Sequence, residues 1–198
     1  QARSLGIPAS VLSVEETNSL DPNVTMTTVG SVYYPKDCHL DPSQLMQSLR
    51  HKIESLGGKF LLREHAQGWK TSNGRIHAVE TASGDFEADE FVLCGGVWSD
   101  GMVRSLKLRI PMQPGKGYSL TVPDPVELPN VCSIFVEAKV AVTPIGHSLR
   151  FGGTMELGEL NQSIDPRRVQ GIVKSIPKYM PNFKPQHFEG IQPWVGLR

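Results

Sequence analysis

The sequence predicts an α/β part joined to an α+β part whose mostly antiparallel sheet is flanked by helices. Up to about residue 104, a helix, a strand, a hairpin and a buried strand follow one another. Beyond that point, longer strands alternate with proline and glycine turns before a further helix. The 198 residues, 39% of them hydrophobic, suffice for one full domain or for a domain and part of another.

The first helix is marked by its cap. Ser13 followed three residues later by Glu16 forms a capping box, in which each residue satisfies a free backbone N–H of the helix start. This pattern predicts a short helix to about Leu20, where Asp21-Pro22 stops it.

The next helix has the clearest pattern in the chain. Asp41 is a favourable N-cap, Pro42 suits the first helical position, and Gly57-Gly58 ends the helix. Apolar residues at helical spacing predict one buried face: Leu45, Leu49, Ile53 and Leu56.

Strands are predicted between this helix and residue 95. Lys59 to Arg63 reads as a strand, and 75–81 with 85–89 reads as a hairpin around Ser83-Gly84. Phe91 to Cys94 is almost wholly apolar, which favours a strand covered on both faces.

The second part begins after a helix predicted over about 99–106. Pro144-Ile145-Gly146 is predicted as a turn, and Asp165-Pro166 as the start of a last helix. The strands predicted in this part are 117–122, 133–136, 140–143, 148–152 and a returning strand over 188–197.

The composition excludes several classes of protein. Twenty basic residues balance twenty acidic ones without a basic stripe, so nucleic acid is not an expected partner. The six histidines form no metal-binding pair, and no metal site is expected. Three widely separated cysteines favour a reduced, cytoplasmic protein over a disulfide scaffold. No apolar run approaches the ~20 residues that a bilayer span needs.

Five short elements stand out along the chain. They are Leu12-Ser13-Val14-Glu15-Glu16, Tyr34-Pro35-Lys36-Asp37, the block from Ala88 to Val122, Phe151-Gly152-Gly153-Thr154 and the terminal Trp194-Val195-Gly196-Leu197-Arg198. In type and order they resemble the D-amino-acid oxidase superfamily of FAD-dependent oxidoreductases, most closely the small subunit of D-amino-acid dehydrogenases. The resemblance covers nearly the whole chain and implies FAD as the cofactor of the parent protein.

One element of such flavin-binding folds is missing. The Gly-x-Gly-x-x-Gly loop that holds a dinucleotide pyrophosphate has no match, since Leu120 stands where Gly115-Lys116-Gly117 would need a third glycine. The sequence therefore predicts an internal piece of a larger flavoenzyme. The isolated chain is expected to be inactive and nearly colourless.

The resemblance implies a set of cofactor-binding residues. Gly95, Gly96 and Trp98 match the strand-turn element beside the ribityl and pyrophosphate groups, and Ala66 matches a residue whose backbone meets the adenine. Gly117 matches the segment that runs from the flavin domain into the substrate sheet. A tight turn with a packing tryptophan, and a strand entry eased by glycine, are the structural alternatives.

Arg198 and Tyr118 are the substrate-binding residues that the resemblance implies. The arginine would grip a substrate carboxylate, a task that suits two parallel N–H donors at fixed spacing. A solvated terminal arginine and a packed tyrosine are the alternatives. Several relatives close the substrate pocket with a tyrosine near the 140–144 strand, whereas this chain has Ala141 there.

The implied activity is oxidation of the Cα–N bond of a small D-amino acid to an imine, which water hydrolyses to an oxo acid. Glycine, sarcosine, proline or a 2-hydroxy acid are alternative substrates, and a cofactor-free binding or assembly module is the alternative of another class. Residues 1–40 and 105–198 would form the substrate-binding domain, and 41–104 part of the FAD-binding domain. The electron acceptor stays open, as do a homo-oligomer and peripheral association of the parent with the inner membrane.

Overall fold

The computed structural model describes residues 3–198, and its helices and strands confirm the mixed fold class predicted from the sequence. The helices in this range are α1 (Val14–Leu20), α2 (Pro42–Ser55), α3 (Ser99–Val103) and α4 (Pro166–Ser175). The strands are β1 (Ser10–Leu12), β2 (Ser31–Tyr33), β3 (Gly68–Ser72), β4 (Arg75–Thr81), β5 (Gly84–Glu87), β6 (Gly115–Pro123), β7 (Ser133–Phe135), β8 (Val140–Ile145), β9 (Ser148–Leu157) and β10 (Trp194–Leu197).

The chain divides into two compact units. The first contains the described residues up to Leu45 together with Lys116–Glu156 and Asn161–Gly196. The second contains Met46–Gly115, Leu157–Leu160 and Leu197–Arg198.

A five-stranded sheet with the strand order β10-β6-β9-β8-β7 organises the first unit. Burial alternates along β8 and the first half of β9, so that Val140 and Val142 of β8 and Leu149 and Phe151 of β9 are buried. Helix α4 and the segment that follows it supply the opposite side of the core, with Ile172, Ile176, Met180, Phe183 and Phe188. The ring of Phe151 meets those of Phe183 and Phe188 edge to face, each with 5.4 Å between centroids.

The predicted helix caps are present. The backbone N–H of Glu16 donates to Ser13 Oγ, while that of Ser13 donates to the Glu16 carboxylate, which completes the capping box of α1. At α2, Asp41 Oδ1 accepts from the N–H groups of Ser43 and Gln44.

The apolar face of α2 does not have the environment that its spacing predicts. No residue of this helix is buried in the structure. Leu45, Leu49 and Ile53 are each more than two-fifths exposed, and Leu56 is 74% exposed. An apolar stripe predicts that one face of a helix packs against other residues, and a single sequence does not identify those residues.

A three-stranded sheet, β3-β4-β5, lies in the second unit. The β4–β5 hairpin confirms the prediction, although β5 begins at Gly84 and ends at Glu87, where 85–89 was expected. The β3–β4 hairpin was not predicted. Its two-residue loop is Asn73-Gly74, with positive φ at both residues, which is the strongest short hairpin signal a sequence offers.

Two predicted strands of the second unit are wrong. Neither Lys59–Arg63 nor Phe91–Cys94 forms a strand in the structure. A strand needs a hydrogen-bonded neighbour, and within the described residues no strand pairs with either segment. Arg63 also has φ of 65°, which interrupts an extended run, and Val92 is 86% exposed.

Two predictions in the first unit need correction. Pro144 and Ile145 belong to β8, and the turn instead follows them at Gly146, whose φ is 58°. The strand expected over 188–197 is confined to β10, because Pro185 begins a short 3₁₀ turn that seats Phe188 in the core.

Candidate functional site

An apolar pocket of about 540 Å³ in the second unit contains three of the predicted cofactor-binding residues. Ala66, Gly95 and Trp98 all line it. The remaining lining residues are His65, Trp69, Val79, Phe91, Val92, Leu93 and Met102. Residues that are distant in the sequence therefore meet at one concave surface.

Two aromatic rings shape this pocket. Trp69 on β3 and Phe91 meet edge to face, with 5.8 Å between ring centroids. The indole N–H of Trp69 donates to the carbonyl oxygen of Met102 at 2.9 Å, which satisfies its only polar group. Trp98 is half exposed and also lines the pocket. Such walls suit a flat aromatic ligand group better than a charged one.

Gly95 and Gly96 lie just before Trp98 in the sequence, and they differ in the space around their backbone. Gly96 has φ of 54°, and a Cβ at that residue would meet no atom within 4 Å. At Gly95, a Cβ would come within 3.1 Å of Ser99 Oγ. Gly96 is therefore required for its backbone conformation and also leaves space in front of that backbone.

Arg198 lies at the end of β10 with an exposed side chain. Its backbone N–H donates to the carbonyl oxygen of Gly115 at 2.8 Å and its carbonyl accepts from the N–H of Gly115 at 2.8 Å. Among the residues that the structure describes, no carboxylate forms an ion pair with its guanidinium.

Gly117 and Tyr118 belong to β6 in the first unit. Gly117 is close to the backbone of β10, since an added Cβ would lie 4.0 Å from the carbonyl oxygen of Gly196. Tyr118 is only 2% exposed and forms part of the hydrophobic core. Its hydroxyl donates to Glu156 Oε2 at 2.6 Å, so the side chain is already occupied by protein partners.

A polar cluster that the sequence analysis missed surrounds Glu156. Besides Tyr118, its carboxylate is 3.2 Å from Arg168 Nε and 3.5 Å from Lys116 Nζ. The hydrogen bond from Tyr118 holds the pKa of Glu156 below its ordinary value, and the charges of Lys116 and Arg168 act in the same direction. Glu156 follows Gly152-Gly153-Thr154 closely, but nothing in its spacing identifies its partners.

Trp69 was also missed; it lies on β3, an edge strand of the three-stranded sheet that pairs with β4. In the part of the chain that the structure describes, no helix is long and apolar enough to cross a membrane. Within the same range, no cluster of histidine, cysteine and acidic side chains is arranged to hold a metal ion.

The chain is similar in sequence to known proteins over its whole length. The model of a family described as FAD dependent oxidoreductase (DAO) matches residues 1–198. A D-amino acid dehydrogenase of Azorhizobium caulinodans is 30% identical over 198 residues, covering 98% of this chain and 47% of the relative. A D-amino acid dehydrogenase of Helicobacter pylori is 29% identical and covers 95% of this chain and 45% of the relative. The chain thus spans about half the length of the curated relatives it matches.

Solved structures agree in fold. Glycine oxidase from Geobacillus kaustophilus superimposes with a TM-score of 0.85 at 21% identity, covering 100% of this chain and 52% of that protein. At this identity the likeness concerns the fold and not the substrate.

Proposed function

Since this chain belongs to the FAD dependent oxidoreductase (DAO) family, we propose that it forms part of an FAD-dependent enzyme that oxidises small amino acids. The reaction converts the Cα–N bond of a D-amino acid into an imine, which water hydrolyses to an oxo acid. The names of the relatives that share about 30% identity support the D-amino acid as substrate.

The pocket of the second unit is the observation that carries this proposal. It brings together Ala66, Gly95 and Trp98, three residues matched to the family's cofactor contacts from separate parts of the sequence. The apolar walls fit an aromatic part of FAD, while the open backbone at Gly96 fits close approach of its polar chain. The chain has no Gly-x-Gly-x-x-Gly loop for the pyrophosphate, so these residues would hold only part of the cofactor.

Each of the predicted site residues has a defined task in this proposal. FAD, when bound, would supply the acceptor for the two electrons and one proton removed from the Cα–N bond, and the other proton would leave from the amino group. Arg198 binds and orients the substrate carboxylate through two N–H donors. Trp98, Gly95, Gly96 and Ala66 contact the cofactor, and Gly117 leaves room at the edge of the substrate sheet. Tyr118 holds Glu156 and acts on the substrate only through the shape of β6.

The two units correspond to different parts of such an enzyme in this proposal. The first unit, with its five-stranded sheet, would be the substrate-binding domain. The second unit would be part of the FAD-binding domain. The boundaries between the units are near residues 45 and 115, and residues 157–160 and 197–198 also group with the second unit.

The first experiment uses the full-length protein that contains this chain. We expect it to purify with bound flavin, and its absorbance to bleach anaerobically with one or more D-amino acids. The panel contains D- and L-alanine, glycine, sarcosine, proline and a 2-hydroxy acid, so that the alternative substrates are distinguished. A flavin that none of these reduces would contradict the proposed reaction, and a protein without flavin would favour a binding module.

Arg198→Lys tests the carboxylate contact in the same protein. We expect KM for the amino acid to rise about tenfold or more, because lysine keeps the charge but loses the paired donors. Arg75→Lys, on the exposed β4 strand end, is the matched control and should leave KM unchanged. An unchanged KM in Arg198→Lys would remove Arg198 from the site.

A further inference from the structure

The start of β6 depends on a single side chain. Its first three residues are Gly115, Lys116 and Gly117, so that only Lys116 can attach this segment to its surroundings through a side chain. The residue is 4% exposed, although burial of a lysine is rare unless its charge has partners.

The ammonium group of Lys116 has three acceptors. It donates to Asn161 Oδ1 at 3.0 Å and to the carbonyl oxygen of Ser163 at 2.9 Å, and it lies 3.5 Å from Glu156 Oε2. Asn161 Oδ1 also accepts from the N–H and the hydroxyl of Ser163, which closes this loop around the lysine. The segment between β9 and α4 is therefore joined to the start of β6.

Glu156 ties the same strand a second time. Its carboxylate accepts from Tyr118, two residues after Lys116 and on the same side of β6. Leu149 and Phe151 of β9 also face the core, and strict alternation would turn Glu156 to the opposite side. Thr154 lies between Phe151 and Glu156 with φ of 52°, a left-handed conformation that departs from the extended backbone on which alternation depends. The irregular strand thus aims Glu156 at Tyr118 and Lys116.

The start of β6 is hydrogen-bonded to Arg198, the residue that follows β10. Gly115 and Arg198 form two hydrogen bonds with each other, and both join backbone atoms only. We propose that Lys116 and Glu156 are positioning residues that set the location of Arg198 through the β6–β10 ladder. This inference rests on the proposed function, in which Arg198 binds the substrate carboxylate.

The test uses the full-length flavoprotein with Lys116→Met and Glu156→Gln, each close in size to the residue it replaces. The substrates are the amino acid that bleaches the flavin fastest in the panel above and the amide of the same amino acid. We expect KM for the amino acid to rise about tenfold in each variant while KM for the amide, which lacks the carboxylate, stays unchanged. Lys116→Arg keeps a cation and should restore most of the loss.

Hydrogen exchange provides a measurement that does not depend on activity. In Lys116→Met, the amide of Arg198 should exchange faster than in the parent, because its acceptor on Gly115 is less firmly held. Lys70→Met is the matched control, since Lys70 on β3 forms an exposed ion pair with Asp85 on β5 in the second unit. It should alter neither KM nor the exchange of Arg198.

The outcomes separate the two proposals. If Arg198→Lys raises KM while Lys116→Met and Glu156→Gln leave both KM and the Arg198 amide unchanged, the positioning role is wrong and the proposed function stands. An equal rise in KM for the amino acid and for its amide would also overturn the positioning role, because that pattern indicates general damage to the fold. If Arg198→Lys itself has no effect, Arg198 is not in the site and the positioning role is wrong, while the bleaching of the flavin still decides the proposed function.

Discussion

At the scale of single residues, polar side chains with several partners determine how loops meet. Asp21 is 6% exposed, and its carboxylate accepts from the backbone N–H groups of Asn130 at 2.6 Å and Val131 at 2.9 Å. It also accepts from the N–H of Asn23. The residue was expected to stop a helix, and it additionally joins two loops more than a hundred residues apart.

Replacement of Asp21 should therefore cost stability. In Asp21→Ala, the backbone N–H groups of Asn130 and Val131 lose their charged acceptor, and the free energy of unfolding should fall by about 1–3 kcal/mol. Urea unfolding measures the change. Asp89→Ala, at an exposed residue, is the control and should shift the midpoint little. Equal shifts in both variants would show that the Asp21 contacts are not formed in solution.

At the scale of elements, the close packing of α4 on the five-stranded sheet holds the first unit together. Gly153 of β9 is opposite Val140 of β8, and it faces Ile172 of α4. A Cβ on Gly153 would lie 3.0 Å from a side-chain atom of each. Val140 and Ile172 are both buried, so neither can move away without disturbing the core.

Neighbouring glycines provide a matched pair of variants. We expect Gly153→Ala to lower the free energy of unfolding by about 1–3 kcal/mol through overpacking. Gly152→Ala should change it by less than about 1 kcal/mol, because no atom lies within 4 Å of the new Cβ. Thermal or urea unfolding of both variants decides the matter, and a larger loss in Gly152→Ala would contradict this packing.

At the scale of the whole molecule, the net charge is zero, and several acidic groups form ion pairs with nearby basic side chains. Hydrogen bonds from Arg104 and from the Ile110 backbone hold the pKa of Asp100 below its ordinary value. Arg167 lowers the pKa of Asp165 through its side chain and its backbone N–H. Together with Glu156, these carboxyl groups favour the folded state only while they are ionised.

The free energy of unfolding should consequently fall at acidic pH. Because the folded-state pKa values lie below the ordinary 3.8 of Asp and 4.5 of Glu, the contribution is complete at neutral pH. It is lost as the pH falls through the lowered values. Unfolding followed from pH 7 to pH 2 should show this fall, and Asp100→Asn with Asp165→Asn should flatten it. The same steep fall in the double variant would assign the effect to other groups.

Local signals in the sequence predicted the elements whose causes are local. Ser13 with Glu16 and Asp41 with Pro42 identify their helix starts, since a cap acts within four residues. The family motifs likewise indicated Ala66, Gly95 and Trp98, which the structure gathers in one pocket. Asn73-Gly74 shows that a further local signal was present and was not used.

The sequence by itself determined helix starts, turns, the alternation of the long strands and membership of the family, because each depends on neighbouring residues or on residue type. Only the tertiary structure decided that Phe91–Cys94 and Lys59–Arg63 form no strand, that α2 remains uncovered, and that Glu156 meets Lys116, Tyr118 and Arg168. Strand pairing, burial and ion pairs are properties of two segments at once. A pattern within one segment indicates which secondary structure that segment prefers. The second segment with which it pairs or packs is known only from the folded chain.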